Sequence, residues 1–317
     1  MSEFDIIKTW FNWPQQDPAI TVGNGDDAAV VQLADHEELV VSVDTSIKGV
    51  HFPEDTPAHA VGYKSLAVNL SDIAAMGAVP RWFTLALSIP ENNAEWLAGF
   101  ASGLRELADR HNVALIGGDT TRGPLSITIQ IMGTLGKGTA LRRNHAQSGD
   151  LICITGTPGD AAAGLACLQN RLSLPTAEQT HCIQRLNYPT PRVLFGAGIN
   201  GHAHSCIDVS DGLSADLQHI LDQSDKNFRL DHNKLPFSNA LAGLPDAEKL
   251  AFALTGGDDY ELLFTVAPEK LNIIKTIATD TQTPVSVIGE ISEHQALTQD
   301  TIEPLPKPAG FNHFSRR

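Results

Sequence analysis

The sequence predicts an α/β protein of two units in tandem, and three observations carry that reading. Apolar runs of strand length alternate with longer stretches of helical period along the chain. With 317 residues and a hydrophobic fraction of 42%, the chain is long enough to bury two separate cores. A glycine-rich joint with a basic pair, Gly136-Lys-Gly-Thr-Ala-Leu-Arg142-Arg143, ends one series of elements before a fresh one starts at Leu151. The domains are therefore drawn as 1–137 and 138–317.

In order, residues 3–13 read as a short amphipathic helix with Phe4, Ile7, Trp10 and Phe11 on one side. Val22-Gly-Asn-Gly-Asp26-Asp27-Ala-Ala-Val-Val31 is a glycine-punctuated loop that enters a strand at once, setting at least one carboxylate against rigid backbone. Leu39 to Asp44 reads as a buried strand ending in an acid, and His51-Phe52-Pro53 follows in a loop. A helix is expected over roughly 58–77: Leu66, Leu70, Ile73 and Gly77 recur on one side and Ser65, Asn69 and Asp72 on the other, with Pro80 helping to end it. Strand 83–89, helix 94–111, and strand 113–122, which breaks into a turn at Gly117-Gly118, come next, then strand 125–135. The second unit starts with strand 151–155, a loop Gly156-Thr-Pro-Gly-Asp160 and a helix from Ala161. Ser205 to Gly212 reads as a strand leading to a helix near Leu213, the turn Gly256-Gly257-Asp258-Asp259 runs into a strand, and helix 268–279 and strand 284–289 close the unit.

Composition narrows the partners. Lys and Arg total 22 against 37 Asp and Glu, a formal charge of −15, which argues against a nucleic-acid backbone or an anionic membrane as partner. A phosphate ligand stays possible, because divalent metals can supply the positive charge. Cys153, Cys167, Cys182 and Cys206 lack metal-ligand spacing and read as free thiols of a reducing compartment. The N-terminus is acidic where a signal peptide is basic, and no apolar run reaches spanning length, so a cytoplasmic protein is expected.

The chemistry-bearing residues are acids at element ends or among small residues: Asp27, Asp44, Asp72, Asp119, Asp208 and Asp211. Taken alone, Asp72 reads as a satisfied structural acid; the number of similarly placed acids changes that. Converging carboxylates without a cation repel one another, and oxygen-only donors suit magnesium, above all when phosphates complete its shell. The chain has no GxxxxGK[ST] loop, no HRD or DFG set and no GxSxG elbow. A nucleotide enzyme so built neutralises polyphosphate mostly through metal, with Arg143 and Arg122 as point contacts. Two readings remain open on these residues: a magnesium–phosphate enzyme, or an acidic two-domain protein whose Gly-Asp turns are only turns.

A resemblance then decides between them. Gly25-Asp-Asp27, Ser42-Val-Asp44-Thr, Gly49-Val-His51-Phe52 and Ala67-Val-Asn-Leu-Ser-Asp72-Ile-Ala-Ala-Met-Gly77 occur in this order. Gly117-Gly-Asp119-Thr-Thr-Arg-Gly-Pro124, Thr155-Gly-Thr-Pro-Gly-Asp160, Asp208-Val-Ser-Asp-Gly-Leu213 and Gly256-Gly-Asp-Asp-Tyr-Glu-Leu262 follow. The series resembles the thiamine-monophosphate kinase family, in the fold group of aminoimidazole ribonucleotide synthetase and selenophosphate synthetase. The resemblance implies two α/β domains of that type, with the N-terminal sheet pairing across a homodimer. It implies direct in-line transfer of the ATP γ-phosphoryl to thiamine monophosphate with no covalent nucleophile. Several magnesium ions would be held by Asp27, Ser42, the Val43 backbone, Asp44, Asp72, Asp119, Asp208 and Asp211, with Asp72 bridging. ATP would meet Gly118, Asp119, Arg143 and Ser210, and the thiamine substrate His51, Asp258 and the position of Pro308. Two departures stand out: Asp258 replaces the family's usual Glu, and Pro308 stands where a Trp is common. The alternatives are an ATP-dependent ligase of the aminoimidazole ribonucleotide synthetase type and a non-catalytic nucleotide-binding protein. Selenophosphate synthesis is disfavoured because no Cys or glycine-rich reactive segment precedes Asp27.

Overall fold

The computed structural model describes residues 2–14 and 16–293. Two units emerge: one takes the chain to Ile73 together with Ala78–Ala140, the other Ala74–Gly77 and the chain from Leu141 onward.

The first unit begins with α1 (Glu3–Ile6), opened by a reciprocal cap in which Asp5 N–H donates to Ser2 Oγ and Ser2 N–H to the Asp5 carboxylate. The turns continue in π-helical form to Phe11, which is buried. β1 (Ile20–Val22) and β2 (Val30–Val31) form a small antiparallel pair around the acidic loop. Then come β3 (Glu37–Ile47), α2 (Ala58–Ala75), β4 (Val79–Ile89), α3 (Ala94–His111), β5 (Ala114–Arg122) and β6 (Ser126–Gly136). Their sheet has the order β3-β6-β4-β5; β4 and β5 run parallel, as the α3 crossover requires, and the other pairs are antiparallel.

Helix α3 forms where the sequence places it. Asn93 caps it by accepting from Trp96 N–H at 3.0 Å, Leu97, Phe100, Leu104 and Leu107 bury one stripe, and Asn112 ends it with φ at 51°. Helix α2 differs from expectation in being buried nearly all round: Ser65 and Asn69 are as enclosed as Leu66 and Leu70. Gly62 and Gly103 explain how it packs, since a Cβ on either would stand about 2 Å from the carbonyl of Phe100 or His59. Gly77, at φ +69°, follows the end of α2. Pro80, expected to help stop the helix, instead sits inside β4 beside a bulge, where a missing N–H is tolerated.

Strand β3 reverses the expected burial. Ser42 and Asp44 are half-buried, on the face shared with Ile131, Ile129 and Leu85, while Leu39, Val41, Val43 and Ile47 are between 39% and 58% exposed. The strand expected to be buried is therefore half-buried on one face only, and its apolar side faces outward. Gly117 and Gly118 do not break β5 into a turn either. The strand runs through them, and Gly118 is required because a Cβ would meet the Leu85 carbonyl at 2.0 Å.

The second unit contains β7 (Leu151–Thr155), α4 (Asp160–Leu168), α5 (Thr176–Asn187), α6 (Val193–Ile199), β8 (Ser205–Asp208) and α7 (Leu213–Ser224). It continues with β9 (Asn227–Leu230), α8 (Asp246–Thr255), β10 (Leu262–Val266), α9 (Leu271–Asp280) and β11 (Val285–Ser292). The sheet order β8-β10-β7-β11-β9 is antiparallel throughout. Ile152, Ile154, Ile207 and Leu263 from the strands and Leu213, Leu217 and Ile220 from α7 share one apolar core. All four cysteines are buried free thiols in this unit, and burial pushes their pKa values up, for Cys153 and Cys182 to about 12. Among the described residues no helix is long and apolar enough to cross a membrane.

Candidate active site

In the first unit the structure brings Ser42, Asp44 and Asp72 together. Ser42 Oγ donates to Asp72 Oδ2 at 2.6 Å, linking β3 to α2. Burial, and then the neighbouring Asp72 charge, push the Asp44 carboxyl well above the usual carboxylate range. A hydroxyl and two carboxylates are hard oxygen donors, and a cation between the acids relieves their repulsion, so this donor set fits magnesium. It does not form a closed cage: among the described residues no three His, Cys, Asp or Glu side chains stand ready to hold a metal ion. Exogenous oxygens, from phosphate or water, must supply the rest of the shell.

The other acids of this unit are placed differently. Asp27 lies in the exposed turn between β1 and β2, and the strand after it is only two residues long, so the rigid backing expected beside it is slight. Asp119 is exposed on β5, in register with Ala86, Thr128 and Thr45 across the sheet. Asp44 belongs to the neighbouring row with Ile129, Leu85 and Gly118. The pleat therefore turns Asp119 and Asp44 to opposite faces, three strand spacings or about 14 Å apart. Gly118 is exposed, and the Val43 side chain points to the outer face with Asp119. His51 closes the β3 turn: Ile47 N–H donates to its Nδ1 at 3.0 Å. That bond leaves the proton of the neutral ring on Nε2.

In the second unit, Asp208 ends β8 with 6% exposure, and Ser210, Asp211 and Gly212 form the loop into α7. Both the Ser210 and Asp211 N–H groups donate to Asp216 Oδ2, at 3.0 and 3.1 Å. The Ser210 carbonyl in turn accepts from Asp258 N–H at 2.9 Å, and Tyr260 N–H donates to the Val209 carbonyl at 2.9 Å. Tyr260 OH donates to Asp258 Oδ1 at 3.1 Å. Asp258 and Tyr260 have φ values of 70° and 52°, a left-handed backbone that non-glycine residues adopt at some cost. Arg143 lies in the short helical turn Arg143–His145, where its carbonyl accepts from Ser224 Oγ at 2.9 Å. Pro308, the third residue expected at the thiamine substrate, lies outside the described residues.

Three buried acids of this unit gain no role from the sequence, although Asp259 and Glu261 lie within the motif 256–262. Asp216 is 3% exposed; burial pushes its carboxyl up, to about 7, against the two backbone N–H bonds. Asp259 accepts from Gly159 N–H with both oxygens, and burial drives its pKa well up. Glu261 has no exposure and is held by Arg192 Nε at 2.6 Å, Arg185 at 2.7 Å and Thr155 Oγ1 at 2.6 Å. Burial alone would raise its pKa; the two guanidinium groups and the hydroxyl outweigh it and hold the pKa low.

The chain matches the model of the AIR synthase related protein N-terminal domain over residues 25–135 and that of the C-terminal domain over residues 147–299. It is 44% identical to thiamine-monophosphate kinase of Escherichia coli K12, over 99% of this chain and 98% of that one. Against the Salmonella typhimurium enzyme the identity is 42%, again over 99% and 98%. Among solved structures, thiamine-monophosphate kinase from Stenotrophomonas maltophilia K279a superposes with a TM-score of 0.83 at 48% identity, covering 87% of this chain and 89% of that one. The complex of AaThiL with AMPPCP and TMP gives a TM-score of 0.78 at 30% identity, covering 91% of each chain. This sequence is thus a member of the thiamine-monophosphate kinase family, built from the two AIR synthase related domains.

Proposed function

We propose that this protein transfers the γ-phosphoryl group of ATP to thiamine monophosphate, giving thiamine diphosphate and ADP. Full-length identity of 44% to a thiamine-monophosphate kinase is the observation that carries the reading. Both ligand types occupy a relative of the same fold, as AMPPCP and TMP.

Phosphoryl transfer asks the protein for position and charge rather than for a nucleophile. Magnesium, when bound, neutralises phosphate charge and orients the reacting oxygens. We assign Ser42, Asp44 and Asp72 as its core ligands, with the Val43 backbone, Asp27, Asp119, Asp208 and Asp211 as the remaining ones. Ser210, Gly118, Asp119 and Arg143 contact ATP, Arg143 as a point charge. His51 offers Nε2–H to the thiamine substrate, and Asp258, braced by Tyr260, faces the same ligand together with the segment around Pro308.

The same reading makes the protein a cytoplasmic homodimer. The outward apolar side of β3 supports it, since four large hydrophobics at 39–58% exposure on one strand are a surface that association would cover. Edge strands β3 and β5 each offer a row of backbone groups for pairing. Joining β3 of one copy to β5 of the other would set the strand that carries one copy's Asp119 beside the strand that carries the other's Asp44, which removes the lateral three-strand separation within a single chain, while the pleat still sets the face of each side chain.

A coupled assay tests the activity: thiamine monophosphate and a panel of other phosphate acceptors, each with and without magnesium. ADP and thiamine diphosphate appearing together, only with the metal, is the expected result. Turnover of formylglycinamidine ribonucleotide with none of thiamine monophosphate would replace the kinase by a ligase. Tight ATP binding without turnover of any acceptor would leave a nucleotide-binding protein.

A further inference from the structure

We propose that Asp216 is a positioning residue of the phosphoryl-transfer site, whose single oxygen sets the nucleotide loop and, through it, the acceptor turn. This rests on the kinase reading above for the roles of Ser210, Asp211 and Asp258, but the linkage itself is geometric.

Asp216 sits in the first turn of α7 and reaches back to the loop that precedes its own helix. Its Oδ2 takes two consecutive backbone N–H groups, those of Ser210 and Asp211, at 3.0 and 3.1 Å. At 3% exposure water does not readily replace it, so loss of that oxygen leaves two donors without their acceptor in a dry place. The Ser210 peptide thus has its N–H held by Asp216, while its carbonyl receives the Asp258 N–H at 2.9 Å.

Packing makes this linkage stiff. A Cβ on Gly257 would stand 2.2 Å from the Ser210 carbonyl oxygen, and one on Gly212 would stand 2.8 Å from the Gly256 carbonyl oxygen. The loop 209–212 and the turn 256–260 are therefore pressed backbone to backbone, with Tyr260 N–H bonded to the Val209 carbonyl beside them. Any shift of Ser210 displaces Asp258, because no side chain lies between them to absorb it. Asp258 already holds a left-handed backbone, so it has little freedom to readjust. Displacements of an ångström at a reacting centre cost about 10²-fold in rate.

The task needs an acceptor oxygen and not a charge, which separates Asp216 from the acids assigned to metal. Kinetic constants for both substrates, thermal unfolding and calorimetric ATP binding are to be compared in the native protein, Asp216→Asn and Asp216→Ala. Asp216→Asn keeps a carbonyl oxygen with two lone pairs and should stay within about threefold of native in kcat and in both KM values. Asp216→Ala should fold, raise the KM for ATP and for thiamine monophosphate together, and lower kcat by about 10²-fold. Three results would overturn the proposal: native constants in folded Asp216→Ala, Asp216→Asn as impaired as Asp216→Ala, or a raised KM for ATP alone. If Asp216→Ala does not fold, Asp216→Glu, which moves the oxygen by a methylene, takes its place; it should show the joint KM rise, and native constants in it overturn the idea. A native protein that binds ATP but turns over no thiamine monophosphate defeats the kinase reading instead. Weaker ATP binding in Asp216→Ala would still support the positioning role in that case.

Discussion

Ser42 and Asp72 lie 30 residues apart in sequence, yet the hydroxyl of one donates to the carboxylate of the other at 2.6 Å. Asp44, two residues along the same strand face, feels the charge of Asp72. The three groups therefore act as one, and Asp72 is the member that touches both others. Asp72→Asn should keep the fold, since it removes a repulsion, and lower kcat by about 10²-fold or more. A near-native rate at saturating magnesium would remove Asp72 from the site.

Asp44 and Asp119 can be asked whether they serve the same chain. Asp44→Asn and Asp119→Asn should each be nearly inactive alone. Mixed by denaturation and refolding, they should regain roughly a quarter of native activity, because half the dimers then carry one intact site of two. No recovery, with mixed dimers verified by a tag on one variant, would put both acids in one chain's site.

The resemblance implies a glutamate at the position of Asp258, whose side chain is one methylene shorter and whose Oδ1 is already engaged by Tyr260 OH at 3.1 Å. Asp258→Glu should lower the KM for thiamine monophosphate while leaving that for ATP unchanged. An unchanged or higher KM for thiamine monophosphate would show that Asp258 is not a shortened substrate contact.

Glu261 ties β10 to Arg185 and Arg192, and its folded-state pKa lies below its ordinary value of 4.5. A carboxylate of this kind adds stability above its unfolded-state pKa and loses it as the pH falls through the folded-state pKa. Unit two should therefore weaken as acid is added below about pH 4.5. Arg192→Met leaves a buried charge short of a partner and should cost about 3–5 kcal/mol. It should also flatten the acid limb of the stability profile. Thermal unfolding across pH 3–7 measures both, and an unaltered transition in the variant would assign the pair no structural weight.

Much of this architecture could be read from the residues, for identifiable reasons. Helix 94–111 was found to the residue because Asn93, the stripe from Leu97 to Leu107, and Asn112 are all local signals. Strand 151–155 was legible as a short apolar run beside glycine, and the strand read over 205–212 is present but stops at Asp208. β3 reads as a buried strand because its apolar residues are so many; instead one face of it is exposed, and Ser42 and Asp44 take the inner one. Gly117 and Gly118 look like a turn, but the strand runs through them, and Gly118 is there so that the β5 backbone can approach Leu85. Asp216, Asp259 and Glu261 could not be singled out individually, since for Asp259 and Glu261 the side-chain partners stand from 69 to 106 positions away. Asp216 reaches only five or six residues back, but nothing in the residue pattern says that a helical acid will do so.

The four cysteines all fall in the second unit, at positions 153, 167, 182 and 206, and none is in a disulfide. Only a thiolate reacts readily with an alkylating or disulfide reagent, and these sulfurs are shielded and held protonated. They amount to a built-in clock: the rate at which a thiol dye labels the untouched protein reports how often the second unit opens, with no probe introduced. The first unit contains no cysteine and stays dark in the same experiment.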